Sequence, residues 1–251
     1  MADIASISTV SDWASSSSVL AANVGSINGI LASPGIGGID EFTKLMLHMD
    51  ESPLIDSSLE PHALTLSGGV ARSSVQKKFG GYSGYYDGDD NSIEVADHAD
   101  FEFGNGDFSI DFWSYPVTGY VGAGEVVSKG DITSYGPFVI YHDATKWHFV
   151  CSYNGTDWAT DTEFGDAVVD TWQHMAVCRS GSTVYFFKDG VEQTTFNIST
   201  NSLFENNELL RIGSALFESP LFYKGYIEEL RISKGVARWV TGFTPNTKAY
   251  N

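Results

Sequence analysis

From Lys44 onward the chain is a succession of short apolar runs cut by turn chemistry at Ser67-Gly68-Gly69, Asp87-Gly88, Asn105-Gly106, Asn154-Gly155 and Asp189-Gly190. The runs are rich in Val, Ile, Phe, Tyr and Trp, and helical periodicity longer than about two turns is absent from them. Apolar runs of that length between closely spaced turns specify antiparallel strands in a sandwich. In "DFSIDFWSYP", Phe108, Ile110 and Phe112 alternate with Ser109, Asp111 and Trp113, so one face is wholly apolar and the other mixed. In "TWQHMAVCRSGSTVYFFKDG", a strand over 172–179 turns at Ser180-Gly181-Ser182 into another over 183–188. The same alternation in "YKGYIEELRIS" places Glu228 and Glu229 on opposite faces.

Residues 1–43 have another composition: their charges are Asp3, Asp12, Asp40 and Glu41, and the first basic residue is Lys44. Leu20, Val24, Ile27 and Leu31 follow a helical seam, yet Gly25 and Gly29 each cost about 0.8–1.0 kcal/mol relative to Ala. Such a helix is marginal alone, so the expectation is an extended or partly helical arm that docks on a partner surface, with "ASPGIGGID" as connector. The expected organisation is therefore an arm and linker over 1–43 and a β domain over 44–251.

Charge narrows the partners. Asp and Glu number 32 against 14 Lys and Arg, a formal net charge of -18, which repels phosphate backbones and anionic lipid. Nucleic acid and membrane surfaces are thus not expected partners, and no run approaches the ~20 apolar residues of a spanning helix. The acidic start "MADIASIS" is unlike a signal peptide. Cys151 and Cys178 lie within apolar runs and read either as buried free thiols or as one cross-strand bridge.

The ordered segments "KFGGYSGYYDGDDNSIEVADHADFEFGNGDFSIDFWSYP", "TWQHMAVCRSGSTVYFFKDG" and "LLRIGSALFESPLFYKGYIEELRISKGVARW" resemble the laminin-G-like, concanavalin A-like lectin/glucanase superfamily. The resemblance implies an all-β jelly-roll sandwich of two antiparallel sheets. The ending "RISKGVARWVTGFTPNT" is similar to copies of this domain in bacteriophage structural proteins, and "VLAANVGSINGI" resembles short segments near the start of phage fibre proteins. That implies a virion protein on the particle exterior, assembled in the host cytoplasm, held to other virion proteins by its arm and trimeric like many phage fibres. It would display a lectin-like domain for host-surface glycans or particle stabilisation, as a fibre, tail-associated or capsid decoration component. The alternatives are a free-standing carbohydrate-binding module of a cellular protein and, third, a glycoside hydrolase.

Sites discriminate among these. The superfamily's hydrolases carry a Glu-x-Asp-x-x-Glu strand, which this chain lacks, and Asp107 and Asp111 lie about 13 Å apart along an extended strand, beyond the separation glycosidases use. A non-enzyme is expected. Glycan binding needs flat apolar faces beside polar groups, and the loop aromatics Tyr82, Tyr85, Tyr86, Tyr120, Tyr135 and Trp158 are its candidates, whereas Phe108, Trp113, Trp147, Trp172 and Trp239 follow core patterns. The resemblance also implies one structural Ca²⁺ held by Asp50, Asp56, Asp87 and Glu228, although the family's Asp is Glu at 228. "DGDDNS" is not an EF-hand loop, because the twelfth position falls on His98. The six histidines lack metal-ligand spacing and read as strand or loop residues.

Overall fold

The computed structural model describes residues 38–119, 123–130, 135–143, 145–214 and 221–251. The arm residues Leu20, Val24, Ile27 and Leu31, and Tyr120, lie outside them. Among the described residues the strands are β1 (Thr43–Leu47), β2 (Leu64–Ser67), β3 (Ala71–Ser73), β4 (Ser83–Asp87), β5 (Ser92–Val95), β6 (Phe108–Pro116), β7 (Gly124–Lys129) and β8 (Phe138–His142). They continue with β9 (Lys146–Cys151), β10 (Thr160–Asp166), β11 (Gln173–Ser180), β12 (Thr183–Lys188), β13 (Val191–Asn197), β14 (Leu210–Ile212) and β15 (Lys224–Lys234). One sheet runs β13-β12-β11-β6-β15-β4-β3 with β1 also paired to β15, and the other runs β10-β9-β8-β7-β14-β5-β2. All of these pairings are antiparallel, as the jelly-roll reading requires.

The alternation read from the sequence builds the core. Phe108, Ile110 and Phe112 of β6, Met175 and Val177 of β11, and Ile227, Leu230 and Ile232 of β15 face Ile140, Trp147 and Phe149 of the opposite sheet in one buried cluster. The hairpin between β11 and β12 pairs Ser180 with Thr183, and Gly181 takes φ +57° in the two-residue turn. Residues 38–43 belong to the sandwich: Arg238 bonds Asp40 at 2.7 Å, and the Gly38 carbonyl accepts from Arg231 at 3.1 Å. The domain thus starts earlier than Lys44.

The mixed face of β6 is also buried, because the end of the chain crosses it. Trp239 and Phe243 stack at 4.0 Å and lie over His174 and Phe187, with Ala176 and Cys178 in the same small cluster. Phe243 N–H donates to the Gly190 carbonyl at 2.8 Å, and a Cβ on Gly190 would stand 2.0 Å from the Phe243 oxygen. The strap ends with Tyr250 bonded to Asp111, and Ile39 N–H donates to the Asn251 carbonyl at 3.1 Å. The segment "RISKGVARWVTGFTPNT" therefore supplies part of the seal over the centre of this sheet.

One expectation is corrected. β15 pairs with β4 over Lys224–Ile227 and with β1 over Leu230–Ser233, and a bulge separates the two stretches, with Glu229 at φ +53°. The extra residue breaks the alternation, so Glu228 and Glu229 both leave the core side while Ile227 and Leu230 keep it.

Candidate functional site

The outer face of the seven-stranded sheet carries the site. Alternation within β8 and β9 sends Ile140, Phe149 and Cys151 inward and Tyr141, His148 and Val150 outward. The register aligns Glu125, Tyr141, His148 and Glu163 across β7 to β10, with Val139, Val150 and Asp161 in the next row. A pocket of about 260 Å³ opens there, lined by Ala123, Glu125, Tyr141, Val150, Trp158, Asp161 and Leu221. Trp158 stands on the turn before β10 and meets Tyr135 edge to face at 5.5 Å.

The polar side of this pocket is held in place. The His148 ring stacks on Tyr141 at 4.6 Å with planes 10° apart, and its Nδ1 lies 2.9 Å from Asp161 Oδ1. Its Nε2 lies 3.3 Å from Asp143 Oδ2 without hydrogen-bond geometry, so the Asp161 bond and the stacked Tyr141 ring hold the imidazole. Tyr141 donates to Asp161 Oδ2 at 3.3 Å; burial first, then the charge of Asp161, push this phenol above its ordinary pKa and keep it a donor. A carboxylate beside two aromatic faces offers hydroxyl acceptors next to C–H surfaces, the combination that binds sugar rings. The volume is below the roughly 300–1,000 Å³ of drug-sized pockets and suits a single ring.

The sequence-derived aromatics divide. Trp158 lines this site and Tyr135 packs against it from outside the lining. Tyr82 and Tyr85 lie elsewhere: Tyr82 carries the Arg72 guanidinium 4.3 Å above its ring, and Tyr85 joins a row with Tyr226 and Tyr115 on the other sheet. Tyr86 is corrected to core, fully buried in β4 against Tyr223 and the backbone of Gly213, where a Cβ would stand 2.2 Å from its ring. Tyr141, Asp161 and Glu125 escaped the sequence reading because Tyr141 sits in the run "FVIYH", which looks like continuous core. Its alternation of Phe138 and Ile140 with Val139 and Tyr141 was the available signal.

The four carboxylates assigned to calcium do not converge. Asp56 accepts from Met46 and Ser58 N–H, the Ser58 hydroxyl and His62 N–H at 2.7–2.9 Å, which uses both its oxygens. Asp50 accepts Gly81 and Tyr82 N–H, and Glu228 accepts Lys78 and Phe79 N–H at 2.6 and 2.7 Å. Both bind the same loop, with donors where a cation would stand. Burial, only partly offset by those N–H groups and reinforced by Glu229 and Asp50, raises Glu228 to about 7. Asp87 caps its own turn at Asp89 N–H, at the far end of β4. A Ca²⁺ cage of six to eight oxygens does not fit these residues.

A family model for the concanavalin A-like lectin/glucanases superfamily matches residues 87–238. The chain belongs to that superfamily. Among solved structures, the superfamily fold is shared with the binding domain of Paraclostridial Mosquitocidal Protein 1, at TM-score 0.62 and 13% identity over 78% of this chain and 50% of that one. The binding domain of botulinum neurotoxin DC, solved in complex with SialylT, matches at TM-score 0.61 and 12% identity over 80% of this chain and 50% of that one. A botulinum neurotoxin type C structure, from work on cell entry dependent upon interaction with two ganglioside molecules, matches at TM-score 0.58 and 12% identity over the same shares. This chain spans about half the length of those structures. The fold is that of lectin-like binding domains. No curated protein matches the sequence.

Proposed function

We propose that this chain is a non-catalytic carbohydrate-binding module whose site is the pocket between Trp158, Tyr141 and Asp161. One observation carries the reading: the C-terminal strap covers the centre of one sheet's outer face, whereas the other sheet presents a concave site of aromatic faces and a fixed carboxylate. The SialylT complex and ganglioside dependence of the two botulinum structures support it, being lectin-like use of a shared fold. The non-catalytic assignment rests on the acids. Glu228 and Glu229, brought together by the bulge, have their oxygens occupied by backbone N–H groups and the His48 ring, and both are sealed beneath neighbouring chain.

The finer reading places the module on a bacteriophage particle, attached through the arm that precedes Gly38 and trimeric, on the strength of the similarity of "RISKGVARWVTGFTPNT" and "VLAANVGSINGI" to phage structural proteins. A glycan array with the full chain tests the binding role: selective capture abolished by Trp158→Ala supports it, and a blank array overturns it. Deleting residues 1–37, which spares the sandwich contacts of Gly38, Ile39 and Asp40, tests the arm. Loss of particle incorporation with a folded soluble domain supports docking, and normal incorporation refutes it.

A further inference from the structure

His62 is distant in sequence from His98 and Asp100, which stand two positions apart, and the fold brings all three to one point. His62 leads into edge strand β2, while His98 caps a short 3₁₀ helix, Ala99–Phe101, that follows β5. Because β2 pairs with β5, both loops emerge at the same end of the sheet. His62 Nε2 and His98 Nδ1 each lie 3.2 Å from the same oxygen, Asp100 Oδ2. One ligand atom from each residue falls within 4.8 Å of the others.

We infer that these three residues form a site for a divalent transition ion of the Zn²⁺ class. Bonds of about 2.0–2.1 Å to a tetrahedral ion put neighbouring ligand atoms about 3.3 Å apart, close to both nitrogen–oxygen separations here. Two imidazoles with one carboxylate suit zinc rather than Ca²⁺ or Mg²⁺, which favour oxygen ligands throughout. The surroundings support the ligands. His62 packs on buried Phe101 at 4.8 Å, its backbone N–H is tied to Asp56, and Lys44 Nζ stands 4.0 Å from the other oxygen of Asp100. The Asp100 N–H bond to the His98 ring is long, 3.2 Å, and the ion replaces it at that nitrogen. The His98 side chain is 54% exposed, so the fourth coordination position faces solvent. Bound there, the ion joins the chain entering β2 to the turn leaving β5 and fixes the edge of the sheet.

His148 supplies the contrast. It too lies near two acids, but Asp143 and Asp161 approach opposite nitrogens of its ring, so their oxygens cannot meet at one ion. The test is calorimetric titration of the full chain with Zn²⁺ after chelator treatment, with melting measured in parallel. One equivalent bound and a melting temperature raised by several degrees, with no rise at equal Ca²⁺ or Mg²⁺, supports the site. His98→Ala, which in the apo chain removes one long cap bond and so lowers the melting temperature only slightly, weakens Zn²⁺ at least about tenfold, the scale that outer-shell changes alone reach. Asp100→Asn does the same, and His148→Ala leaves binding intact. Absence of a stoichiometric event, or equal binding by the His98 and Asp100 variants, overturns the proposal.

Discussion

Tyr250 donates its hydroxyl to Asp111 Oδ2 at 2.6 Å, joining the penultimate residue of the chain to the centre of β6. Asp111 is fully buried and also takes Arg231 Nε at 3.0 Å, and burial, which alone would raise its pKa, is outweighed by Arg231 and His174, leaving it at about 2. Tyr250→Phe removes one donor from a buried charge, about 1.5–3 kcal/mol, and lowers the melting temperature by roughly 3–10 °C. Asp111→Asn strips Arg231 of its counter-charge and costs more, about 3–5 kcal/mol. Urea denaturation of both variants checks the order; equal losses would show that the strap does not depend on this charge.

Glu228 gives stability a pH dependence. Its folded pKa of about 7 lies above the ordinary 4.5, so the folded chain holds more protons than the unfolded one between those values. Stability accordingly falls as pH rises from about 4.5 to 7, by on the order of 3 kcal/mol, and this contribution is level above that. His48 acts in the same direction: burial opposes its protonation, but Glu229 raises its pKa overall, and its contribution is lost as pH climbs through that raised value. Asp111 acts oppositely, with stability fully present above 3.8 and lost as pH falls toward 2. In Glu228→Gln the decline between pH 4.5 and 7 becomes shallower. Denaturation midpoints across that range measure it, and an unchanged slope would dismiss Glu228 as its source.

At the pocket, Trp158→Ala and Asp161→Asn each reduce glycan affinity, by about 1–3 kcal/mol, while the melting temperature moves little because Asp161 is exposed on β10 and Trp158 is half-buried on the turn before it. Tyr85→Ala, on the other sheet, leaves affinity unchanged. Titration calorimetry with a ligand selected from the array separates the two locations; a loss confined to Tyr85→Ala would move the site to the tyrosine row.

Cys151 and Cys178 are both free and buried. Cys151 belongs to the core between the sheets and Cys178 to the cluster beneath the strap, so the eight-stranded sheet itself separates them and a bridge is excluded. Burial pushes the thiols up to about 12 and 11, respectively. Neither reacts with an aromatic disulfide reagent at pH 8 in the native state, and both react in denaturant. Mass spectrometry counts the adducts, and rapid native labelling would contradict the burial.

Where a physical rule acts over neighbouring residues, the amino-acid order was enough. Period-two alternation placed Phe108, Ile110 and Phe112 in the core, and the turn at Ser180–Ser182 set the β11–β12 hairpin. Those features depend on backbone geometry within a few residues. The alternation failed at Glu228 and Glu229, because a bulge arises where β4 gives way to β1 along β15, and that junction joins segments distant in sequence. Tyr86 looked like a loop aromatic beside Asp87-Gly88, yet Gly213 makes room for its ring in the core.

The sequence by itself determined an all-β sandwich, its hairpins, its apolar faces and an acidic surface, since each follows from local pattern or from composition. Only the tertiary structure decided which outer face the strap covers, that Trp158 meets Tyr141 and Asp161 in one pocket, and that His62 reaches His98 and Asp100. Those arrangements depend on strand order and register across the sheets, which side-chain alternation along one strand leaves unspecified.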